Sequence, residues 1–213
     1  MAGSVTHLSG TLVARKDDGS ARILAPRSEV HPGETLATAD GTYARVKFVD
    51  GGEVTLRPDS QLNIASYTYE QAHPERDNVV FKLLKGGLRS ITGLIGKREP
   101  TRFQMNTATA TIGIRGTIFN VLQCSNDCGG IKMPDGGTPT NGLHVEVGEG
   151  AISVTNNQGT QVFNAGQFGY VRDVNTAAVT VPPQVAPKPP PPPATFETGK
   201  AGVGKASADE CKI

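Results

Sequence analysis

The residues with most chemical potential in this sequence are four histidines, three cysteines and a run of lysines and arginines near the middle of the chain. Acyl-transfer hydrolysis needs a nucleophile, a base and an orienting acid, and a glycine-framed serine of the G-x-S-x-G type commonly presents the nucleophile. His7, His31, His73 and His144 are scattered, and no serine is framed in that way. Asp17-Asp18 pairs two carboxylates, but the glycine that follows marks a turn in which aspartate bonds to its own backbone. No catalytic residue and no cofactor is expected, and the chain is not expected to be an enzyme.

Cys124, Cys128 and His144 supply three ligands of a zinc site. A C-x3-C pair with one distant histidine, however, lacks the second paired cluster of a zinc finger. In an oxidising compartment Cys124 and Cys128 are expected to close a small disulfide ring around Ser125-Asn126-Asp127. A bridge from Cys211 to either of them is the competing pairing, and spacing does not decide between the two.

Two G-x-x-G elements invite comparison with nucleic-acid loops: Gly93-Leu94-Ile95-Gly96 followed by Lys97-Arg98, and Gly113-Ile114-Arg115-Gly116. RNA-clamping G-x-x-G loops join helices. Both elements here sit between strand-like runs, and the aromatic platforms of other RNA binders are missing, so no nucleic-acid partner is expected. Gly202-Val203-Gly204-Lys205 lacks the spacing of a phosphate loop.

One asymmetry remains. Between Val79 and Val121 stand Lys82, Lys85, Arg89, Lys97, Arg98, Arg102 and Arg115 against the single acid Glu99. If Arg89, Lys97, Arg98 and Arg102 share a face, they form a docking patch for an acidic protein surface, or for a polyanion such as glycan or lipid headgroups. The alternative is a set of outward strand cations that discourage edge pairing.

The elements that must position these residues are strands. The chain has 213 residues, net charge +1, 26 glycines, 15 prolines, 5% aromatic residues and no tryptophan. Glycine and proline recur too often for long helices, and the charge balance creates no long-range field. From Thr42 to Val49 the side chains alternate, Asp50-Gly51-Gly52 breaks the run, and Glu53 to Arg57 resumes it, which predicts a hairpin. Further strands are expected over residues 11–14, 21–24, 35–38, 61–69, 78–84, 88–92, 102–110, 117–123, 143–147, 151–155, 161–164 and 168–174. Such spacing predicts an all-β domain over residues 1–181, built as a solenoid or as a sandwich. Residues 182–194 are proline-rich and predict a stiff spacer reaching on the order of 40 Å. Residues 195–213 read as a flexible tail.

No run approaches the roughly 20 apolar residues of a membrane span. No basic and apolar leader precedes the first strand-like run, leaving either a cytosolic chain or one whose signal has been removed. The cysteines favour an export compartment.

From Asn106 to Val121, threonines alternate with Ala108, Ala110 and Ile112, and Gly113 and Gly116 then flank Arg115 in a bend before Thr117. An arginine among Ile112, Ile114 and Ile118 is expected to be partly buried and to act as a structural anchor on carboxylate or carbonyl partners. This Thr/Ala-rich strand followed by G-x-R-G-T resembles the signature of the FecR-domain family. Upstream, Tyr43-Ala44-Arg45-Val46-Lys47-Phe48-Val49-Asp50-Gly51, Leu56-Arg57-Pro58-Asp59-Ser60-Gln61-Leu62 and Leu83-Leu84-Lys85-Gly86-Gly87-Leu88-Arg89 are similar to that family in the same order. The resemblance covers roughly Gly10 to Val171, and it departs at Ala108, where the family often has proline.

The resemblance implies a periplasmic all-β domain. Founding members relay an iron-siderophore signal from an outer-membrane receptor, through a membrane anchor, to a cytoplasmic segment controlling a sigma factor. With no anchor or cytoplasmic segment visible, it implies a stand-alone exported protein that is periplasmic or extracellular. Such a protein would bind or scaffold a protein partner at the outer membrane, at the surface or in another copy of itself. The alternative expectation is a structural subunit of an extracellular assembly, joined through strand edges or Cys211.

Overall fold

The computed structural model describes residues 1–196. In chain order come β1 (Gly3–Leu8), β2 (Leu12–Arg15), β3 (Ala21–Leu24), β4 (Glu29–Val30), β5 (Thr35–Thr38), β6 (Ala44–Phe48), β7 (Glu53–Leu56) and β8 (Gln61–Thr68). After them come β9 (Asn78–Ile91), the short helix α1 (Leu94–Arg98), β10 (Phe103–Asn106), β11 (Thr111–Cys124), β12 (Gly142–Asn156), β13 (Gly159–Asn164), β14 (Phe168–Val171) and β15 (Val179–Val181). Among the described residues no helix is long and apolar enough to cross a membrane.

Three strands decide the architecture. β9, β11 and β12 run for 14, 14 and 15 residues, against roughly five or six for an ordinary strand. Each changes partners halfway. The first half of β9 pairs with β8 and, in parallel, with β10, while its second half pairs with β7 and with the second half of β11. β12 pairs with β14 near its start and β13 near its end. One continuous sheet is therefore folded into two rows, β4-β1-β6-β7-β9-β11-β12-β14-β15 and β3-β2-β5-β8-β9-β10-β11-β12-β13. Of the two expected all-β forms this is the sandwich, with three strands threading both layers. Apolar side chains of both rows, such as Leu56, Leu88 and Phe119 from the first and Leu62, Phe81 and Ile112 from the second, meet in one core cluster. The few aromatic rings chain through it, from Phe48 stacked on Tyr67 at 5.1 Å to Phe81, Phe103 and Phe119.

The bends lie at glycines. In β9, Gly86 has φ +75°, and the fully buried Ser60 hydroxyl donates to Gly87 O at 2.9 Å and accepts from Gly87 N at 2.8 Å. In β11 and β12, Gly116 (φ +59°) faces Gly150 (φ +72°), and a Cβ on Gly150 would collide with the Gly116 carbonyl. This is why residues 78–84 and 88–92, expected as separate strands, form one. The same holds for 143–147 and 151–155, and 117–123 extends back to Thr111.

Residues 107–110 depart from the expected alternation: they form a tight turn in which the Thr107 hydroxyl accepts from Thr109 N and Ala110 N and donates to Ala110 O. Cys124 is bonded to Cys128, and Cys211 lies outside the described residues. His144 donates to Thr140 O at 2.8 Å and packs on Tyr170, and burial pushes its pKa down.

The expected proline stalk does not project. Residues 182–194 lie back over the outer face of the first row, and Phe196, two residues beyond them, is only 2% exposed. A polyproline-type chain leaves its carbonyls free, and donors on the sheet capture one of them.

Gly86→Ala combines a forbidden φ with a collision against Ser60, whereas Gly19 (φ +84°) has open space around it. In urea unfolding, Gly19→Ala is expected to cost about 1–2 kcal/mol and Gly86→Ala distinctly more. Equal losses would show that Ser60 does not hold the bend.

Candidate interaction surface

The corner that carries most of the expected cations is built on one carboxylate. Asp50, in the β6–β7 turn, is 5% exposed. Its Oδ1 accepts from Gly52 N at 2.9 Å and from the Tyr67 hydroxyl at 2.7 Å, and its Oδ2 accepts from Ile95 N at 3.2 Å. Its main-chain carbonyl accepts from Leu94 N at 2.9 Å. The opening amides of a helix have no partner within the helix, and Asp50 satisfies two of them for α1. A Cβ on Gly93 would strike the Asp50 carboxylate, so glycine is required where the chain leaves β9. Burial first, and then the neighbouring Asp50 charge, push the Tyr67 phenol far above its usual pKa, so it stays protonated and donates.

A second clamp holds the other side. Thr92 N and its hydroxyl both donate to Thr117 O, at 3.0 and 2.7 Å, and Thr117 N donates back to the Thr92 hydroxyl at 3.0 Å. The Thr117 hydroxyl donates to Ala151 O at 2.9 Å and accepts from Arg115 N at 3.1 Å. Gly113 lets β11 approach β12 closely, since a Cβ there would meet the Ser153 hydroxyl at 2.7 Å. The G-x-R-G-T segment thus ties the end of β9 to β12 through Thr117.

Arg115 itself departs from expectation. Its side chain is exposed because it alternates with Ile112 and Ile114, which fill the core, so the pleat of β11 puts Arg115 on the outer face before the bulge begins.

Lys97 and Arg98 close α1, and Arg102 closes the 3-10 turn Pro100–Arg102 that follows. All three are exposed. The Arg98 guanidinium lies over the Tyr69 ring at 5.7 Å. Glu99, the lone acid of the stretch, accepts from Thr101 N and from the Thr101 hydroxyl. Among the described residues, Lys97, Arg98, Arg102 and Arg115 make no ion pair. A groove of about 330 Å3, lined by Pro100, Thr101, Gly113, Arg115, Ser153 and Val162, runs beside them on the outer face of the second row. Arg89 does not join this corner. It pairs with Thr55 and Asn120 in the first row, next to Arg57, because its position in β9 alternates with the inward Leu88 and Ser90.

The family model described as FecR protein matches residues 34–153, more than half of the chain. The chain belongs to the FecR family. The matched span of this FecR domain runs from the start of β5 into β12 and contains Asp50, α1, the Thr92–Thr117 clamp and the cationic corner. No curated protein matches the chain. Two crystal structures described as a "putative anti-sigma factor from Parabacteroides distasonis" share the fold, with TM-scores of 0.50 and 0.51 at 16% and 17% identity. Each match covers 69% of this chain and 58% of the other. The FecR-family chain thus spans little more than half the length of those structures.

Sequence reasoning passed over Asp50 as a side chain and read it only as turn chemistry. A carboxylate beside Gly51-Gly52, with a Gly-x-x-Gly segment downstream, was the available signal. It also gave no role to Arg57, although Arg57 lies in one of the family-like segments.

Asp50→Ala removes three side-chain hydrogen bonds to a buried charge and is expected to lower unfolding free energy by on the order of 3 kcal/mol; Tyr67→Phe should cost about 1–2 kcal/mol. The double variant should lose clearly less than the sum, because both act in one network. Strict additivity in denaturant titrations would contradict the shared network.

Proposed function

We propose that this FecR domain is a non-catalytic binding module of a signalling regulator, working in the periplasm or outside the cell. In this reading its α1 corner docks on an acidic surface of a protein partner. The observation that carries the reading is the contrast at the corner: four exposed cations without ionic partners stand beside an acid turned back onto Thr101. Cations fixed on a rigid corner attract a partner at long range and lose little freedom on contact. The adjoining groove adds apolar surface from Pro100 and Val162, which suits a protein better than a glycan or a lipid headgroup. The Cys124–Cys128 bond is at home in an oxidising compartment.

A second reading, an assembly subunit, is favoured by the strand edges. Among the described residues β3 pairs only with β2, and it carries Ile23 at 77% exposure on an edge that could accept another strand. A mass that rises with concentration in light scattering would favour assembly, and a constant monomer mass would favour the binding module.

Lys97→Glu with Arg98→Glu is expected to slow capture of the partner cross-linked from a periplasmic fraction by about tenfold at low salt, with the difference shrinking as salt rises. Unchanged capture at low salt would reject the corner as the docking surface.

A further inference from the structure

The opposite side of the molecule carries a second recognition surface, independent of the α1 corner. After β15 the chain crosses the outer face of the first row and is held at three points. Ala186, 1% exposed, sits in a hollow lined by Phe168, Gly169 and Val181. The Pro190 carbonyl accepts from the Tyr43 hydroxyl at 3.2 Å and from Arg57 Nη1 at 2.7 Å. Phe196 is enclosed by His7 (5.3 Å), Tyr43 (6.4 Å) and the Arg45 guanidinium (5.6 Å).

The receptor side is built in advance of the segment. Arg57 Nη2 donates to Asn120 Oδ1 at 3.3 Å, and Asn120 Nδ2 donates to Glu146 Oε2 at 3.0 Å, so a relay across β11 and β12 aims the guanidinium outward. A charged donor and a phenol converge on one proline carbonyl, and the same Tyr43 ring lines the aromatic pocket that Phe196 enters through the 3-10 turn Ala194–Phe196, an arrangement that suits a proline-rich segment ending in an aromatic anchor. Such a segment loses little conformational entropy when it docks.

The attachment is also sparse. Lys188, Pro191 and Pro193 are exposed along the segment, and Lys188 N donates to Lys132 O at 3.4 Å. A cavity of about 210 Å3 remains beneath Pro189 and Pro190, bounded by Tyr43, Arg57, Gly86 and the disulfide loop.

We infer that the outer face of the first row is a peptide-docking groove whose ligand is residues 186–196, seated in cis, and that the groove accepts the same segment from a second copy of the chain when its own is displaced. Exchange between copies would then link molecules through a proline segment rather than through a strand edge. The short connection between β15 and Ala186 gives the resident segment a high effective concentration, so exchange is suppressed while Phe196 stays in its pocket.

The test uses the full chain with Phe196→Ala, which empties the pocket without touching the sheet, and a fluorescent peptide of residues 184–196 as the second copy's segment. The peptide is expected to bind Phe196→Ala at least tenfold more tightly than the wild-type chain. Adding Tyr43→Phe and Arg57→Met to Phe196→Ala should abolish that binding, with circular dichroism unchanged. Equal affinity for wild type and Phe196→Ala, or no binding to either, would overturn the inference. Equal binding of a plain oligoproline peptide would do so too, because the groove would then read prolines without the aromatic anchor.

Discussion

A carboxylate sealed inside a protein must be met by donors, and at Asp50 those donors come from three separate parts of the chain. Gly52 belongs to the same turn, Tyr67 to β8 in the other row, and Ile95 to α1. The β6–β7 turn, the aromatic stack and the cationic corner therefore cannot shift independently. Tyr67 passes the constraint inward, since its ring stacks on Phe48 while its hydroxyl points at the carboxylate. α1 is five residues long, far too short to persist by its own propensity. It exists because Asp50 holds its first amides and because Gly93 clears the way.

The same logic scales up to the sheet. Two layers joined only by loops can slide, but here β9, β11 and β12 belong to both. Their bends are fixed by Ser60 on Gly87, by the Thr92–Thr117 exchange and by the close approach of Gly116 and Gly150. The two outer faces are thereby set at a fixed relation. One presents the groove beside Arg115 and the α1 corner, and the other presents Arg57 and Tyr43 to the chain's own proline segment.

Much of this was legible in the residues, and the part that was not has a physical cause. Alternation and Asp-Gly turns revealed the strands and the β6–β7 hairpin, because both are local properties. The four-residue spacing of Cys124 and Cys128 suggested their bond but left a bridge to Cys211 open, and the structure shows the former. Glycines at 86 and 150 fell between strands expected as separate and act as bends within one strand, since a glycine permits either and only distant contacts such as Ser60 decide. α1 escaped notice because its stabilising group lies 45 residues upstream. Arg115 was placed inside on the strength of its isoleucine neighbours, although an inward Ile112 and Ile114 leave residue 115 on the outer face by simple alternation. The proline segment was expected to project as a spacer, and it lies against the sheet instead. Composition sets the conformation of such a stretch, whereas its location depends on donors at Tyr43 and Arg57 that lie over a hundred residues away.

The most direct test of the dependence on Asp50 is native-state hydrogen exchange at the Leu94 and Ile95 amides. If the buried carboxylate locks α1 to the hairpin and β8, these amides should exchange only with the opening that releases the core strands, at a free energy close to that of global unfolding. Exchange at a rate near that of an unstructured peptide, with the sheet amides still protected, would show that the corner frays on its own and that Asp50 does not govern it.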